Sequence, residues 1–376
     1  YRHYQEGDEV QLADLFIRSF QMNGGGFSRT PKSWHWRYVQ SPGFEPEQCQ
    51  IAEDSDTHKL VGAIYVNLVE TIPLNGKTYL TGEINDVSCH PDYTGRGISK
   101  KLMDMAIRYM ERKKCDISML TADYNGFPRK KIYLKYGYVD VDRSYIFFYI
   151  SNPLKLFRDM PAIGIFLPPF LFLSYLPRIL NRLRIRFNPH FKEISYEIVH
   201  NRKHFEYMEA ANRIIPKYFT GFPGYTKERI IWGRIKTPAK RFEPTYIMIK
   251  KKNNIIGGAF FTYSNIYAFK YGIKIRVGVL HEFFLDKAEF NTKRDLHFGY
   301  ILLLEKVIKA ADKQKIAGLF YQGPSLDKSM YQGFRGMNFF AVKGGVAMIK
   351  IINKELRLPK LTKPLYIGTW VNKGIP

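Results

Sequence analysis

The chain has 376 residues, whereas one small α/β fold needs about a hundred or somewhat more, so length alone predicts two or three units. A hydrophobic content of 45% with 15% aromatics excludes a disordered chain, and only three cysteines exclude a disulfide framework. The net charge of +24 disfavours a polycationic substrate, which would be repelled on approach, and leaves acidic glycans, nucleotide sugars, nucleic acid and anionic lipid as partners, or plain solubility as its role.

From the N-terminus, Tyr1 to Phe20 carries charges throughout and predicts a strand followed by a helix over Asp8 to Phe20, with no apolar secretory core. Cys49, Cys89 and Cys115 fall in or near predicted strands without metal-ligand spacing, and the nine histidines are scattered. The expectation is a reduced, cytoplasmic protein with no metal cofactor, with peripheral membrane contact as an open alternative.

Gly82 to Cys89 reads as a strand, and strict alternation puts Glu83, Asn85, Val87 and Cys89 on one face with Asp86 on the other. The run Val87-Ser-Cys-His-Pro-Asp-Tyr-Thr-Gly-Arg-Gly-Ile-Ser-Lys-Lys-Leu102 then passes from strand through a Pro91-Asp92 turn into a glycine loop that opens onto a helix. Ile98, Leu102, Met105, Ala106 and Met110 repeat at three and four residues, which makes that helix amphipathic. Glycines allow close backbone approach to an anion, and helix N-terminal amides favour negative charge, so the run has the outline of a phosphate cradle. Arg96 adds a guanidinium suited to a phosphate or, equally, to solvent. Cys115 to Thr121 predicts the next buried strand, and Phe127 to Tyr138 a helix that Gly137 ends in a left-handed cap.

These residues resemble the GNAT acetyltransferase superfamily. Its motif A, Gln/Arg-x-x-Gly-x-Gly/Ala, is matched with Thr94 at the first position, Gly97 as the central glycine and Ser99 at the last. The resemblance implies that acetyl-CoA is the cosubstrate, with its pyrophosphate on Thr94, Gly95, Arg96, Gly97, Ile98 and Ser99. It also implies that Val87, Ser88 and Cys89 hold the thioester and pantetheine arm, with Asn125 as a further pantetheine contact. Ile132-Tyr133-Leu-Lys-Tyr-Gly137-Tyr138 is similar to the family's Phe-Tyr-x-x-x-Gly-Phe signature, which implies Tyr133 as the acid that protonates the CoA thiolate. Glu83 matches a position where several members keep a general base; a Glu that merely pairs with a neighbouring cation is the alternative, with Asp86 in reserve as base.

An internal echo recurs at an offset of about 195 residues. Trp34-His-Trp-Arg-Tyr38 is answered by Ile231-Trp-Gly-Arg-Ile235, and Lys59-Leu-Val-Gly-Ala-Ile-Tyr65 by Asn254-Ile-Ile-Gly-Gly-Ala-Phe260. Further on come a strand Val279 to Leu285, a helix Gly299 to Ala311 and a strand Ile316 to Gln322. In place of the glycine loop, Leu285 to Gly299 is longer and puts acidic side chains where phosphates would lie. The chain therefore resembles a tandem GNAT arrangement, α/β with mixed sheets, in which a CoA-binding first domain (1–150) joins a degenerate second one (193–353). A linker (151–192) and a C-terminal tail (354–376) complete the division. In the enhanced-intracellular-survival members a third domain supplies a terminal carboxylate as base; with only 354–376 left here, an internal base such as Glu83 is expected instead.

The linker is uncharged from Met160 to Pro177 and then basic at Arg178, Arg182, Arg184 and Arg186. Pro168-Pro169 would break a spanning helix, which leaves a buried interdomain strip or an interfacial element. The function expected is direct transfer of an acetyl group to a primary amine on an unknown acceptor. A CoA-sensing binding protein and a tRNA-dependent aminoacyl transferase are the alternatives.

Overall fold

A computed structural model describes residues 1–20, 25–27, 29–151, 176, 179–268, 273–324, 327–358 and 360–366. A short strand, β1 (Arg2–His3), precedes the helix Glu9–Phe20, which buries Leu12, Ala13 and Leu15. After β2 (Gly25–Phe27), Thr30 caps the helix Pro31–Arg37 by accepting from the Ser33 amide while Ser33 returns a bond to the Thr30 amide. Strands β3 (Cys49–Glu53), β4 (Leu60–Leu74) and β5 (Lys77–Cys89) form an antiparallel meander. The helix Ile98–Arg112 then crosses to β6 (Ile117–Ala122), parallel to β5. A helical turn Phe127–Lys131 and a 3-10 turn Tyr133–Tyr136 lead into β7 (Val139–Ile150), with Gly137 at φ +80° as the expected left-handed cap.

The second unit repeats this order: β8 (Ile194–His200), helix His204–Tyr218, β9 (Thr245–Lys251), β10 (Asn254–Ala268) and β11 (Ile273–Leu285), then helix Lys293–Lys313, β12 (Gly318–Pro324), helix Lys328–Gly336 and β13 (Phe340–Ile351). The helix expected from Gly299 begins at Lys293, because Thr292 caps it by accepting from the Asp295 amide. Gly299 lies inside it, where a Cβ would sit 2.5 Å from the Phe290 ring.

All strands join one sheet, ordered β1-β3-β4-β5-β6-β13-β7-β12-β11-β10-β9-β8, with β2 added to β10. The two units exchange their last strands. β13 pairs antiparallel with β6 of the first unit, and β7 with β12 of the second, while β7 and β13 pair with each other at the centre. The strands of the first unit run from Arg2 to Ile150 and those of the second from Ile194 to Ile351, yet each unit completes its sheet with a strand of the other.

Helix Ile98–Arg112 packs on the first unit's sheet through Leu102, Met103, Ala106, Tyr109 and Met110, all fully buried. The longer helix Lys293–Lys313 is buried nearly all round in the second unit's core. Beyond β13 the chain stays packed: Leu365 is buried against the first unit, Tyr366 against the second, and the Leu365 amide donates to Asp142. Of the linker, residues 152–175 and 177–178, which hold almost all of the uncharged run, lie outside the described residues. No helix among the described residues is long and apolar enough to cross a membrane.

Candidate active site

Strands β5 and β6 pair only at Thr81, Gly82 and Glu83, opposite Ile117, Ser118 and Met119. Beyond Glu83 they diverge, and a wedge opens in the sheet. On the other side of β5 the register to β4 jumps between Ala63–Ser88 and Tyr65–Asn85, which leaves Asp86 and Val87 as a bulge. Asp86 adopts φ +49°, a left-handed conformation that an Asp tolerates better than most residues but that still stores strain.

The bulge corrects the strict alternation expected for this strand. Ile84, Val87 and Cys89 pack towards helix Ile98–Arg112, whereas Asp86 and Ser88 line a small void on the opposite face with Phe16, Trp34 and Tyr38. Val87 and Cys89 therefore do not share a face with Glu83, and Ser88 turns away from the glycine loop. Asp86 and Glu83 both act on the same buried guanidinium, Arg37, so Asp86 is not on the face opposite Glu83.

Asp86 is also engaged. It accepts from Arg29 and from the Tyr38 hydroxyl, and Arg37 Nη2 lies 3.8 Å away. Burial pushes its carboxyl up, but Arg29 and Arg37 and the hydrogen bonds from Tyr38 and Arg29 outweigh this and hold it below the ordinary value. A carboxylate held in this way is a weak proton acceptor. Glu83 is buried rather than half-buried, on the last paired rung before the wedge. Across that rung in β4 stands Asn67, itself buried, whose side-chain Nδ2 finds no hydrogen-bond partner among the described residues. The sequence offered no signal for Asn67, Arg29 or Arg37, because only the fold brings them to β5.

At the mouth of the wedge, Thr94, Gly95, Arg96 and Gly97 are exposed. Gly95 and Gly97 have φ +81° and +78°, with nothing within 4 Å of where a Cβ would lie. Gly97 is the N-cap of helix Ile98–Arg112, and no side chain caps that end, so its first amides face the loop. Arg96 lies over the Tyr93 ring, 4.6 Å from its centroid. The Ser99 side chain reaches the Cys89 thiol, whose pKa burial raises against that hydrogen bond. A nucleophilic thiolate is disfavoured there. Asn125 is exposed in the turn after β6, its amide bonded to Asp123 Oδ1 at 3.1 Å.

Tyr133 is buried on the same side of the sheet as Val87 and Cys89, its ring edge-on to Tyr138 at 6.1 Å. Burial pushes its phenol pKa up, which keeps the proton on until a strong base appears. On the opposite face, Glu9, Lys32, His35, Trp36, Lys236 and Pro238 help line an open cleft of about 610 Å³ between the two units.

The second unit keeps the frame and seals the site. β11 and β12 also pair only from Val277 to Leu280, but Phe283, Tyr321 and Phe334 fill the opening with ring centroids 4.9 to 6.0 Å apart. Its helix is capped by Thr292 and Asp295 where the first has bare amides. Arg234 and Glu282, 2.8 Å apart and almost fully buried, stand in for Arg37 and Asp86. Beside them His281 is pushed down to about 3 by burial and by Arg234, so it is neutral.

Residues 1–139 match the acetyltransferase (GNAT) domain family. That match lies within the first unit. A comparison with curated proteins finds no match. Among solved structures the chain is similar to N-myristoyltransferase of Saccharomyces cerevisiae with bound myristoyl-CoA. One such structure has a TM-score of 0.69 at 13% identity over 96% of this chain and 86% of that one. A second gives 0.66 at 14% identity over 90% and 75%. A third, which also holds inhibitors, gives 0.65 at 14% identity over 95% and 81%. At such identities the likeness concerns fold, and it spans both units. The fold is a tandem of GNAT-like units, the second without a glycine loop. Among the described residues no group of three or more His, Cys, Asp or Glu could hold a metal.

Proposed function

We propose that the first unit is an acyl-CoA-dependent N-acyltransferase that moves an acetyl group directly to a primary amine. The observation that carries this reading is the pair of open glycines at the uncapped N-terminus of helix Ile98–Arg112, set at the mouth of the β5–β6 wedge. Those amides suit a pyrophosphate, with Thr94, Arg96 and Ser99 beside it and Asn125 across the wedge. Val87, released from the β4 ladder by the bulge, offers its amide to the thioester carbonyl, with Cys89 two residues on.

In this reading the amine approaches from the face of Glu83 and Arg37, and the thioester reaches the wedge from the side of Tyr133. The nitrogen forms a bond to the acyl carbon as the C–S bond breaks. Glu83 takes the ammonium proton, through a water held by Asn67, Tyr133 supplies a proton to the departing thiolate, and the second proton shed by the nitrogen as the amide forms restores the Tyr133 phenol by way of solvent. No covalent enzyme intermediate is formed, in keeping with the raised Cys89 thiol.

The acetyl donor rests on the match of Thr94, Gly97 and Ser99 to motif A, and on the amine side the void behind the bulge leaves no room for an acyl chain. That void measures about 10 Å³ between Phe16, Trp34, Tyr38 and Tyr65, room for no more than about one water. The bound myristoyl-CoA of the structural neighbours favours a longer chain as the second reading. Thiol release measured with acetyl-, octanoyl- and myristoyl-CoA against a panel of amines and peptide N-termini tests both. Turnover with acetyl-CoA alone supports the proposal; turnover confined to the long chains overturns the acetyl assignment, and none with any donor overturns acyl transfer. The three free cysteines fit a reducing, cytoplasmic setting.

A further inference from the structure

The helix at 179–186 carries its apolar residues on the wrong side for a helix that only covers a core. Ile179, Leu180, Leu183 and Phe187 are 52, 43, 46 and 76% exposed. At 3.6 residues per turn these four fall within an arc of roughly 100°, so they form one stripe and not scattered side chains. Arg184 and Arg186, both exposed, flank the stripe on its two edges. Neither pairs with a carboxylate among the described residues.

The opposite arc fixes the helix to the body by specific contacts. Asn181 is buried and donates to the Gly336 carbonyl at 3.1 Å, Ile185 packs against the second unit's core, and Arg182 Nε bonds Glu305 Oε1 at 2.7 Å. At the helix end Asn188 donates to Asp295 at 3.0 Å. These anchors prevent the helix from rolling its apolar stripe inward.

We propose that this helix docks the protein on an anionic bilayer, with Leu183 and Phe187 at the centre of a stripe that enters the headgroup layer. Arg184 and Arg186 then meet lipid phosphates, and the net charge of +24 draws the protein to the same surface. A peripheral orientation follows, since the stripe is two turns long and cannot span. The inference is independent of the acyl-transfer reading, because none of these residues belongs to the candidate site.

Flotation of the full chain with phosphatidylcholine vesicles, with and without roughly a third of phosphatidylglycerol, tests it. Binding is expected to the anionic vesicles, at least about tenfold tighter than to neutral ones, and to weaken as salt rises from about 0.1 to about 1 M. The double variant Leu183→Ser, Phe187→Ser should lose binding by at least about tenfold with an unchanged melting temperature, since both side chains are already exposed. Arg184→Glu with Arg186→Glu should do the same. No binding of the wild type, or equal binding by either double variant, overturns the proposal. So does a fall in melting temperature in the Leu183/Phe187 variant, which would mean that the chain itself covers the stripe. A concentration-dependent dimer dissolved by that variant would assign the face to a second copy instead.

Discussion

Trp36 and Trp232 exchange hydrogen bonds: each indole Nε1 donates to the other residue's backbone carbonyl, at 3.1 and 2.8 Å, with the rings 5.7 Å apart. They are 196 residues apart, the interval at which the sequence echoes itself. A reciprocal contact between equivalent residues is what two copies related by a local twofold axis produce. The same relation places β7 and β13 side by side at the centre of the sheet.

The exchange of last strands predicts how the halves behave. Residues 1–151 expressed alone should aggregate or remain partly unfolded, because the edge of β6 lacks β13 and β7 lacks both neighbours. Co-expression with residues 179–376 should restore a soluble complex. A monomeric, cooperatively melting 1–151 fragment would contradict this.

Acyl-CoA or CoA should stabilise the protein with one site per chain, since only the first unit has open glycines and bare helix amides. Calorimetry should give a stoichiometry near one. Gly97→Glu should abolish the shift in melting temperature, as it forces a side chain at φ +78° and places a carboxylate against the phosphate. Two equivalent sites would refute the unequal pair.

Removing the acid and the base should separate binding from chemistry. Tyr133→Phe should leave CoA affinity nearly intact while turnover falls by about 10- to 1000-fold, since only the phenol proton is lost from a buried ring. Glu83→Gln should depress the rate most at acidic pH, where more of the amine carries a proton. Unchanged turnover in both variants would place the acid and base elsewhere.

Asp86 links stability to pH. Its folded pKa lies below the unfolded one, so its contribution is complete above the unfolded value of about 3.9 and is lost as pH falls through the folded value. Asp86→Asn should therefore destabilise at pH 7 by about 3 to 5 kcal/mol, leaving buried Arg29 without its carboxylate. In chemical denaturation the gap between variant and wild type should close only below about pH 4. A constant gap down to pH 2 would show that the pair is not the source.

Much of this protein is written in local signals. The three- and four-residue spacing of Ile98, Leu102, Met105, Ala106 and Met110 fixes a helix, Gly95 and Gly97 mark backbone that side chains would strain, and the recurrence of the Trp-Arg element betrays two copies. Residues within one turn or one strand determine such features, so order in the chain is enough to read them. What the sequence could not supply depends on partners far apart in it. Alternation along β5 failed at Asp86 because the bulge is set by its register with β4 and by Arg29 and Tyr38, 57 and 48 residues away. Asn67 comes to face Glu83 only through strand pairing, and β13 enters the first unit's sheet only through its ladder with β6, far earlier in the chain. The loops already told the two copies apart in the sequence, but how the second is closed was a matter of packing, with Phe283, Tyr321 and Phe334 filling the wedge that the first unit leaves free.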